Sequence, residues 1–596
     1  MPTLVENIIA KHAGRTVHPG DIVDVEIDIR AARDFGGANV VKHLREHGLG
    51  IADPQKTIFT FDCNPTGSDQ KYAANQQLCR EFAREHEIRV FDIDSGIGTH
   101  IAIDNGLVGP GGTFVSTDSH ANILGAIGAF GQGMGDLDIA HAFAKGRVWF
   151  KVPPSLKIDV MGQLPEICSA KDVVLALLRQ LGANGLLGYA AEMCGPAVER
   201  FSLQDRITIA SMATEMGGII LLFPPSREVM DFCKAAGAVF EPQYADADAV
   251  YEKSLDIDIS TLQPLLSRPG HPDDVVPVRD VEGTPVDSVF IGSCTNGRFE
   301  DLQQAAQILK GRHKADHVVL KIVPATDAVW QRCLREGLFD TFKSAGALIS
   351  NAGCAGCAAG QVGQNGPGEV TLSTGNRNFA GKQGKGEVYL ASPATAAASA
   401  IAGFIVSADR LDAARPRPRP EIKSSVAQKA QETSQKTKPL ELKGRVWVIP
   451  VDNIDTDMIY HNRYLTVTDT NEMGQYTFDN LEGWQDFAQK ARPGDILIVG
   501  ENFGCGSSRQ QAVDCFKSLG IQLIIAKSFG AIYERNAINN ALPILTADLS
   551  ETEIKTGDRI RVNLETGTIT LKNEQPIHAA PFSDVQKTIY CRGGLL

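Results

Sequence analysis

The feature of this sequence that most constrains its fold is a regular alternation of short β-branched runs with segments long enough to form helices. Through residue 407 the strand-like runs include TIFTFD, RVFDID, GTFVSTD, SVFIGSC and HVVLKIVP. Helix-like text such as QKYAANQQLCREFAREHE and KDVVLALLRQLG lies between them. Strands separated by helices predict parallel sheets covered by helices, in which ligands bind beyond the carboxyl ends of the strands. The fold class is therefore predicted to be α/β.

The length and a change of composition predict the domain organisation. The chain has 596 residues, more than one hydrophobic core supports. Residues 408–443 are rich in Pro, Lys, Gln and Ser and hold few large apolar side chains, which is typical of a linker. We therefore expect a large region over 1–407 and a second module over 444–596, whose strand-like runs are DILIVG, QLIIAKS and RIRVNL.

The charge of the chain limits the classes of partner. A net charge of −13, with 43% apolar and 22% charged residues, argues against nucleic acid or an anionic membrane as the main partner and favours a small-molecule ligand. The N-terminal text MPTLVENIIAKHAGR does not have the pattern of a signal peptide, and no run of 18 apolar residues occurs. We expect a cytoplasmic protein without a membrane role, either a monomer or a small homo-oligomer.

Three of the twelve cysteines lie in text that is typical of ligands. Cys354 and Cys357 form a C-x-x-C pair in NAGCAGCAAG, and Cys294 follows an apolar strand in VFIGSCTNG. The C-x-x-C pair alone is consistent with a redox dithiol, a zinc pair or two iron–sulfur ligands. Three thiolates with no obvious fourth favour a metal centre with an open position. The small neighbours suit a bulky cluster, because they let the backbone approach it.

Another motif, GCGSSR at 504–509, combines glycines with two serines and an arginine. By itself this pattern is typical of a helix cap or a phosphate cradle. A catalytic serine activated by neighbouring donors is the functional reading.

Several motifs together resemble the aconitase superfamily. FIGSCTNG and ISNAGCAGCAAG resemble its two iron–sulfur signatures. Five further segments follow in the family's order: VSTDSH (115–120), SMATEMGG (211–218), GNRNFAGKQG (375–384), YLASPATAAASAI (389–401) and ENFGCGSSRQQA (501–512). Within the superfamily the chain is most similar to the isopropylmalate dehydratase and homoaconitase branch, with the large and small subunits fused through residues 408–443.

The resemblance implies a fold, a cofactor and a reaction. It implies an aconitase-like fold with three α/β/α domains around an iron–sulfur cluster and a linked, swivelling α/β domain. Cys294, Cys354 and Cys357 would bind a [4Fe-4S] cluster whose fourth iron has no protein ligand. The reaction would be the removal of water from a 2-hydroxy di- or tricarboxylic acid and its return with hydroxyl and hydrogen exchanged.

The resemblance also implies a set of site residues. Ser507 would be the alkoxide base, with Arg509 and loop N–H groups stabilising its charge. His100 would pair with Asp118, and His120 with Glu215. The implied catalytic residues are Ser507, Asp118, His120, His100, Glu215 and Asp62. The implied substrate contacts are Ser119, Arg377, Lys382, Ser508, Arg509 and Thr466.

The sequence departs from the family pattern at several of these motifs. Cys63 follows Asp62 where the family commonly has a proton-transferring histidine, and Lys382 stands where an arginine is usual. Ser211 replaces an asparagine, and Gln510 and Gln511 replace an acidic residue and a histidine. We expect a related pocket with altered chemistry.

The loop after Tyr464-Leu465 bears on the substrate. Homoaconitase-like members place an arginine after Tyr-Leu, whereas Thr466 and Val467 follow here. Burying a third carboxylate without a cation is costly, so an apolar substituent such as that of isopropylmalate is expected, unless Arg463 turns inward. Aconitate, homoaconitate and substituted malates are the alternative substrates.

Two other classes of function fit the sequence less well. GQGMGD (131–136) could be a degenerate dinucleotide loop, but it lacks the G-x-G-x-x-G spacing. Cluster-free RNA binding is a minor alternative, because all three cysteines and Ser507 are present and the chain has no basic stripe.

Overall fold

The structure, a computed structural model, describes residues 1–65, 69–356, 362–417, 438–465, 467–571 and 576–595. Two of the predicted site residues, Cys357 and Thr466, lie outside the described residues. The chain divides into two compact units. The first unit comprises residues 1–38, 50–133 and 142–423, and the second comprises residues 39–49, 134–141 and 424–596.

The N-terminal part of the chain forms a parallel sheet and a small antiparallel pair. Its strands are β1 (Ile22–Glu26), β2 (Ile29–Arg33), β3 (Thr57–Thr60), β4 (Arg89–Phe91), β5 (Thr113–Ser116), β6 (Phe130–Gly133) and β7 (Arg147–Lys151). Its helices are α1 (Leu4–Ala13), α2 (Gly37–Glu46), α3 (Gln70–Glu85), α4 (Gly98–Asp104) and α5 (Asp136–Lys145). The parallel sheet has the order β4-β3-β2-β5-β6, and β1 pairs with β7.

A four-stranded parallel sheet follows, in the order β10-β9-β8-β11. Its strands are β8 (Ser155–Met161), β9 (Ala190–Cys194), β10 (Ile220–Leu222) and β11 (Lys253–Asp258). The helices of this part are α6 (Ala170–Leu181), α7 (Leu203–Ala210) and α8 (Arg227–Ala235). Ser202 caps α7 by accepting from Asp205 N, while the Asp205 carboxylate accepts in return from Ser202, so the helix begins at a capping box.

The third sheet of the first unit has seven strands in the order β13-β12-β18-β17-β14-β15-β16. They are β12 (Leu265–Ser267), β13 (Val275–Pro277), β14 (Ser288–Ile291), β15 (Val319–Ile322), β16 (Leu348–Ile349), β17 (Val370–Ser373) and β18 (Glu387–Ala391). Five of them are parallel, whereas β12 pairs antiparallel with β13 and β18. The helices are α9 (Ser293–Asn296), α10 (Phe299–Leu309), α11 (Asp327–Arg335), α12 (Leu338–Ser344) and α13 (Pro393–Ala402).

The second unit is built on a mixed seven-stranded sheet in the order β22-β21-β20-β19-β23-β24-β25. The strands are β19 (Glu441–Ile449), β20 (Ile496–Val499), β21 (Leu523–Ala526), β22 (Ile544–Thr546), β23 (Arg559–Asn563), β24 (Thr568–Thr570) and β25 (Ile577–His578). The helices are α14 (Thr456–Ile459), α15 (Thr470–Met473), α16 (Phe487–Lys490), α17 (Gln511–Ser518), α18 (Ala531–Asn539) and α19 (Asp584–Arg592). The four strands from β19 to β22 are parallel, and one face of the sheet packs on a cluster of buried aromatic residues that includes Phe478, Phe503 and Phe516.

The predicted α/β class is confirmed. Every strand-like run named in the sequence contains a strand, the first helix-like segment contains α3, and the second covers all of α6 except its first residue. β19 begins at Glu441, a few residues before the predicted start of the second module at 444. None of the helices in the described residues has the length and hydrophobicity of a bilayer span.

A buried carboxyl in the second unit allows a test of the packing by pH. Asp136 lies in the first turn of α5, is 3% exposed and accepts a 2.8 Å hydrogen bond from Asn39 Nδ2. Burial raises the pKa of Asp136 to about 7, although Asn39 favours the ionised form, and the charge of Asp514 adds to the rise.

Because the folded state holds a proton on Asp136 that the unfolded chain has released, this group stabilises the fold below about pH 4 and loses that contribution as the pH rises to about 7. Between pH 4 and pH 8 we expect the free energy of unfolding of the wild-type protein to fall by up to ~4 kcal/mol relative to that of Asp136→Asn. Urea unfolding at each pH measures both free energies. The exposed Asp24→Asn is the control. Parallel pH profiles for wild type and Asp136→Asn would contradict the buried placement.

Candidate active site

Two places in the first unit have the topology that binds ligands in α/β sheets. In the five-stranded sheet the chain runs outward from β2 through β3 to β4, and in the opposite direction from β5 to β6, so the strand order reverses between β2 and β5. In the sheet of β12–β18 it reverses between β14 and β17. Crevices at the carboxyl ends of such strands are the usual ligand sites. The site residues predicted in 1–407 lie mainly in the loops that follow these strands.

The loops after β2, β3 and β5 meet in a group of buried charges. Arg33 Nε donates to Asp62 Oδ1 at 2.7 Å, and Arg33 Nη1 lies 3.0 Å from Asp118 Oδ1. Burial raises the pKa of Asp62 to about 6, although the Arg33 charge opposes the rise. Burial would also raise the pKa of Asp118, but the Arg33 charge and the His120 contacts outweigh it and hold that pKa below its usual range. Asp118 is therefore ionised at neutral pH.

Cys63, which stands where the family commonly has a histidine, is buried in this group. Its backbone N–H donates to Asp34 Oδ1 at 3.0 Å, and its thiol lies 3.5 Å from Asp62 Oδ1. Burial raises the pKa of the Cys63 thiol well above its ordinary value, so it is protonated. Ligand atoms of Asp34, Asp62 and Cys63 lie within 4.8 Å of one another. Their oxygens already accept N–H groups, including those of Arg33, Gly98 and Gln76, so this cluster carries no metal assignment.

His120 lies at the centre of a second buried group. Its Nε2 is 3.3 Å from Glu215 Oε1 and 2.7 Å from Asn376 Nδ2, and its backbone N–H donates to Asp118 Oδ1. When Nε2 is protonated, it can donate a hydrogen bond to the Glu215 carboxylate. When it is unprotonated, it can accept a hydrogen bond from Asn376 Nδ2. Burial and the Arg377 charge would lower the pKa of His120, but interactions with Cys294 and Glu215 and a hydrogen bond to Asp118 raise it well above the usual value. The predicted partners His120 and Glu215 are thus adjacent.

Arg377, expected to clamp substrate, donates from Nε to Glu215 Oε1 at 2.6 Å and from Nη1 to Ser119 Oγ at 3.4 Å. Ser119 Oγ also lies 3.3 Å from His120 Nδ1. Burial would raise the pKa of Glu215, but Arg377 and His120 lower it overall. Arg377 therefore helps to keep the Glu215 carboxylate ionised.

The predicted pairing of His100 with Asp118 is wrong. His100 Nε2 donates to the backbone oxygen of Cys294 at 2.9 Å, and Asp118 is bonded to Arg33 and His120 instead. Burial, with the Arg298 charge, lowers the pKa of His100 to about 4, so the ring is neutral. A neutral imidazole with its hydrogen on Nε2 holds the turn that carries Cys294.

Two of the three cysteines expected to bind a cluster are described. Cys294 is 1% exposed and Cys354 is 4% exposed, and both belong to one packed group of side chains. Asn376 Nδ2 lies 3.3 Å from Cys294 Sγ, and Cys354 N donates to Asp62 O at 2.8 Å.

The backbone around these thiols is shaped by glycines and suits a bulky inorganic group. Gly292 and Gly356 have φ of 156° and 80°, and Ser293 has φ of 75°. A Cβ on Gly353 would approach Asp62 O to 3.0 Å, and one on Gly356 would overlap the amide of Gln383. The buried thiols, the amide N–H near sulfur and the absence of side-chain bulk at these turns fit an iron–sulfur cluster.

Sequence reasoning missed three residues of this site: Arg33, Asn376 and Lys171. Lys171 is fully buried in the first turn of α6 and donates from Nζ to Thr374 O at 3.1 Å and Gly375 O at 2.5 Å. Burial lowers the pKa of Lys171 to about 8. It anchors the loop that bears Asn376 and Arg377. Asn376 could have been found from the GNRNF motif, and Arg33 from its position directly at a strand end, whereas Lys171 has no such signal.

Lys382 and Ser211, two departures from the family pattern, are both buried near these loops. Lys382 is 3% exposed, and its Nζ lies 5.7 Å from the centre of the Phe379 ring. Ser211 Oγ lies 3.0 Å from Thr295 Oγ1, next to Cys294. The role of Lys382 toward substrate stays a prediction.

In the second unit the GCGSSR motif forms a tight loop after β20. Gly504 and Gly506 have φ of 73° and 88°, and a Cβ on either would overlap Tyr533 or Asp455. Thr456 Oγ1 donates to Ser507 O at 2.9 Å. The helix-cap alternative is not supported, because α17 begins at Gln511 with Gln510 as its N-cap residue.

Arg509 is the charged neighbour of Ser507. Its Nη2 lies 3.5 Å from Ser507 Oγ, its Nη1 donates to Tyr460 O at 3.0 Å, and it forms an ion pair with Asp457. Ser507 and Ser508 are 8% and 3% exposed. The Ser508 hydroxyl has no hydrogen-bond partner among the described residues, so it is able to bind a ligand.

The loop expected to set substrate specificity contains a paired arginine. Arg463 forms an ion pair with Asp479, which also accepts from Tyr464 OH at 2.7 Å. The rings of Tyr464 and Tyr476 stack with centres 3.9 Å apart. Val467 is 9% exposed and packs in the aromatic core. The charge of Arg463 is therefore balanced within this loop.

Comparison with known proteins shows the family of this chain. The sequence profile of the aconitase family (aconitate hydratase) matches residues 6–403, and that of the aconitase C-terminal domain matches residues 423–549. The 3-isopropylmalate dehydratase large subunit 1 of Methanopyrus kandleri is 41% identical over 408 residues, which are 68% of this chain and 98% of that protein. The homoaconitase large subunit of Thermus thermophilus is 39% identical over 413 residues, which are 69% of this chain and 98% of that protein.

One solved structure, a 3-isopropylmalate dehydratase from Methanocaldococcus jannaschii, is 38% identical and covers 26% of this chain and 90% of its own, with a TM-score of 0.24. The aconitase family profile spans well over half of the chain. The Methanopyrus kandleri relative, which matches the same part of the chain, is named as a dehydratase. This protein is a hydro-lyase that belongs to the aconitase family and has its α/β fold.

Proposed function

We propose that this hydro-lyase dehydrates and rehydrates a 2-hydroxy dicarboxylic acid of the isopropylmalate type with the help of a [4Fe-4S] cluster. The observation that carries the proposal is the buried contact of the Cys294 thiol with Asn376, which also contacts the pair formed by His120 and Glu215. The Asn376 amide therefore contacts both a thiol that is expected to bind iron and an imidazole that is able to transfer a proton.

The cluster would be held by Cys294, Cys354 and Cys357. Members of the family generally bind such a cluster, and when bound it supplies a Lewis acid for the substrate hydroxyl and a carboxylate. His100 supports this assignment, because its hydrogen bond to Cys294 O fixes the turn that presents the thiol.

His120 is assigned as the acid that donates a proton to the leaving hydroxyl. Its Nε2 has an acceptor, Glu215, for the protonated state and a donor, Asn376, for the neutral state, so the ring keeps a partner before and after transfer. Asp118 holds the His120 backbone, and Arg377 keeps Glu215 ionised. A histidine with a fixed carboxylate partner is typical of acid–base catalysis.

Ser507 is assigned the abstraction of the carbon-bound proton. A serine hydroxyl is a weak base unless nearby donors stabilise its anion. Arg509 Nη2, 3.5 Å away, and the glycine-rich loop are the donors available within the second unit. The Ser508 hydroxyl, which has no hydrogen-bond partner in the part of the chain that the structure describes, and the buried Lys382 are assigned to substrate carboxylates.

The substituent that distinguishes the substrate from other hydroxy acids is proposed to be apolar. Arg463 is balanced by Asp479, and Val467 is packed in an aromatic core, so this loop offers no spare cation among its described residues. A third carboxylate buried there would be unpaired and costly.

Residues 444–596 are proposed to be the counterpart of a small subunit, fused after a linker. Relatives named as large subunits match only 68–69% of this chain, and the C-terminal domain profile matches residues 423–549. The activity would then need no second polypeptide.

Replacement of Cys294 by alanine tests the cluster. After anaerobic reconstitution we expect wild-type protein to hold four irons and four sulfides per chain and Cys294→Ala to hold far less, because a thiolate ligand is lost. Cys333→Ala is the matched control, since Cys333 is fully buried in the core between α11 and its sheet. Full iron loading of Cys294→Ala, or a wild-type protein that takes up zinc instead, would contradict the assignment.

Replacement of Ser507 by alanine tests the base. We expect kcat for dehydration to fall by about 10²–10⁴-fold, the range typical of a general base, while iron content stays unchanged. Dehydration is followed by the ultraviolet absorbance of the unsaturated acid. Ser550→Ala, an exposed serine of the same unit, is the control. An unchanged kcat in Ser507→Ala would remove the serine from the mechanism.

A panel of acids tests the substrate arm. We expect kcat/KM for isopropylmalate to exceed that for citrate and homocitrate by at least ~10-fold, because a buried, unpaired carboxylate costs more than 1.4 kcal/mol. Arg463→Ala should leave kcat/KM for isopropylmalate within about twofold of wild type, since surface ion pairs contribute little. A preference for homocitrate that Arg463→Ala abolishes would show that Arg463 binds the third carboxylate.

A further inference from the structure

Arg33 has hydrogen-bonding capacity that the protein does not use. The residue is 5% exposed, and its Nε and Nη1 contact Asp62 and Asp118 at 2.7 and 3.0 Å. Its Nη2 is buried and has no hydrogen-bond partner among the described residues. A buried donor without an acceptor costs free energy, so such a group calls for an explanation.

Another buried arginine of the same unit shows that the fold is able to satisfy this side chain. Arg206, 1% exposed, donates from Nε to Phe201 O at 3.1 Å, from Nη1 to Pro224 O at 2.8 Å and from Nη2 to Val198 O at 3.1 Å. Each of its nitrogens has a backbone acceptor. Nη2 of Arg33, by contrast, is a buried donor at the carboxyl end of β2 without an acceptor among the described residues, so it is available to a ligand.

The guanidinium of Arg33 is held in one orientation. Asp62 Oδ2 accepts from Gly98 N at 3.0 Å and Asp118 Oδ1 accepts from His120 N at 3.0 Å, so both carboxylates that grip Arg33 are themselves fixed. The Phe35 ring lies 5.4 Å from the guanidinium carbon. With Nε and Nη1 engaged, the plane of the group leaves Nη2 as the available edge.

The position of Arg33 is that of the active site. It is the last residue of β2, at the reversal of strand order, and its partner Asp62 accepts from the backbone N–H of Cys354. Its other partner, Asp118, accepts from His120 N. One guanidinium thus joins the loop expected to hold a cluster ligand to the loop of the proposed acid.

We propose that Arg33 is a substrate-binding residue whose Nη2 donates a hydrogen bond to a carboxylate oxygen of the hydroxy acid. The proposal rests on the proposed function and adds to it a cation that nothing in the family motifs marked. An arginine–carboxylate hydrogen bond is charge-assisted and directional, so it both strengthens and orients binding.

The experiment compares the full-length, anaerobically reconstituted wild-type protein with Arg33→Lys, which keeps the charge between Asp62 and Asp118 but loses Nη2. Binding of isopropylmalate and of isopropylsuccinate, which lacks the hydroxyl, is measured by calorimetry, together with KM, kcat, iron content and the thermal midpoint. We expect both acids to bind Arg33→Lys about 10- to 100-fold more weakly, the loss typical of a hydrogen bond to a charged group, with iron content unchanged. Arg206→Lys is the matched control and should lower the thermal midpoint without changing either affinity.

Two results would overturn the assignment. Unchanged affinity of Arg33→Lys for both acids would remove Arg33 from substrate binding. Unchanged affinity with lost iron or an altered electron paramagnetic resonance spectrum would show that Nη2 serves the sulfur of the metal centre instead. Since the wild-type protein is the reference, its turnover of isopropylmalate tests the proposed function separately from the effect of the variant.

A second measurement does not depend on the variant folding. In a crystal structure of wild-type protein with isopropylsuccinate, a carboxylate oxygen is expected within hydrogen-bonding distance of Arg33 Nη2, about 2.7–3.2 Å. A carboxylate bound with no oxygen within ~4 Å of that nitrogen would refute the proposal.

Discussion

The buried charge of the Glu215 carboxylate is the main constraint on the first unit, because this charge must be compensated by groups in the interior. It accepts from Arg377 Nε and lies 3.3 Å from His120 Nε2. Glu215 comes from the turn before β10, His120 from the loop after β5, and Arg377 from the loop after β17. Removing one partner of a buried ionic group costs roughly 3–5 kcal/mol, since the remaining charge is left uncompensated. Three sheets are therefore held together by the charges that also form the site.

The need to compensate buried polar groups also explains why the loops that carry the sequence motifs lie next to one another. Arg33 balances Asp62 and Asp118 at one reversal of strand order, and Lys171 satisfies the carbonyls of Thr374 and Gly375 at the other. Each cation fixes a loop that carries residues of the candidate site. Stability and chemistry thus use the same contacts, and a change at Arg33 or Lys171 acts on both.

The strands and the cysteine turn could be predicted from the sequence, because β-branched runs and small residues carry their own local signal. The antiparallel β12 and β13 could not, since their pairing depends on neighbours far along the chain. His100 illustrates the limit for the site: the motif identified the residue, but burial next to Cys294 O decided its partner. Lys171 was missed because charged residues are normally exposed and no local pattern marks it, so only the fold shows that it is buried. For Arg33, the position at a strand end was the one signal in the sequence.

The central claim is that Cys294, Cys354 and Cys357 hold a cluster with one iron open to substrate. Mössbauer spectroscopy of protein reconstituted with ⁵⁷Fe, recorded before and after addition of isopropylmalate, tests it most directly. The account predicts that one iron of four differs from the others and that its signal alone changes when the acid is added. Four equivalent irons that do not respond to the acid, or a protein that assembles no cluster, would contradict it.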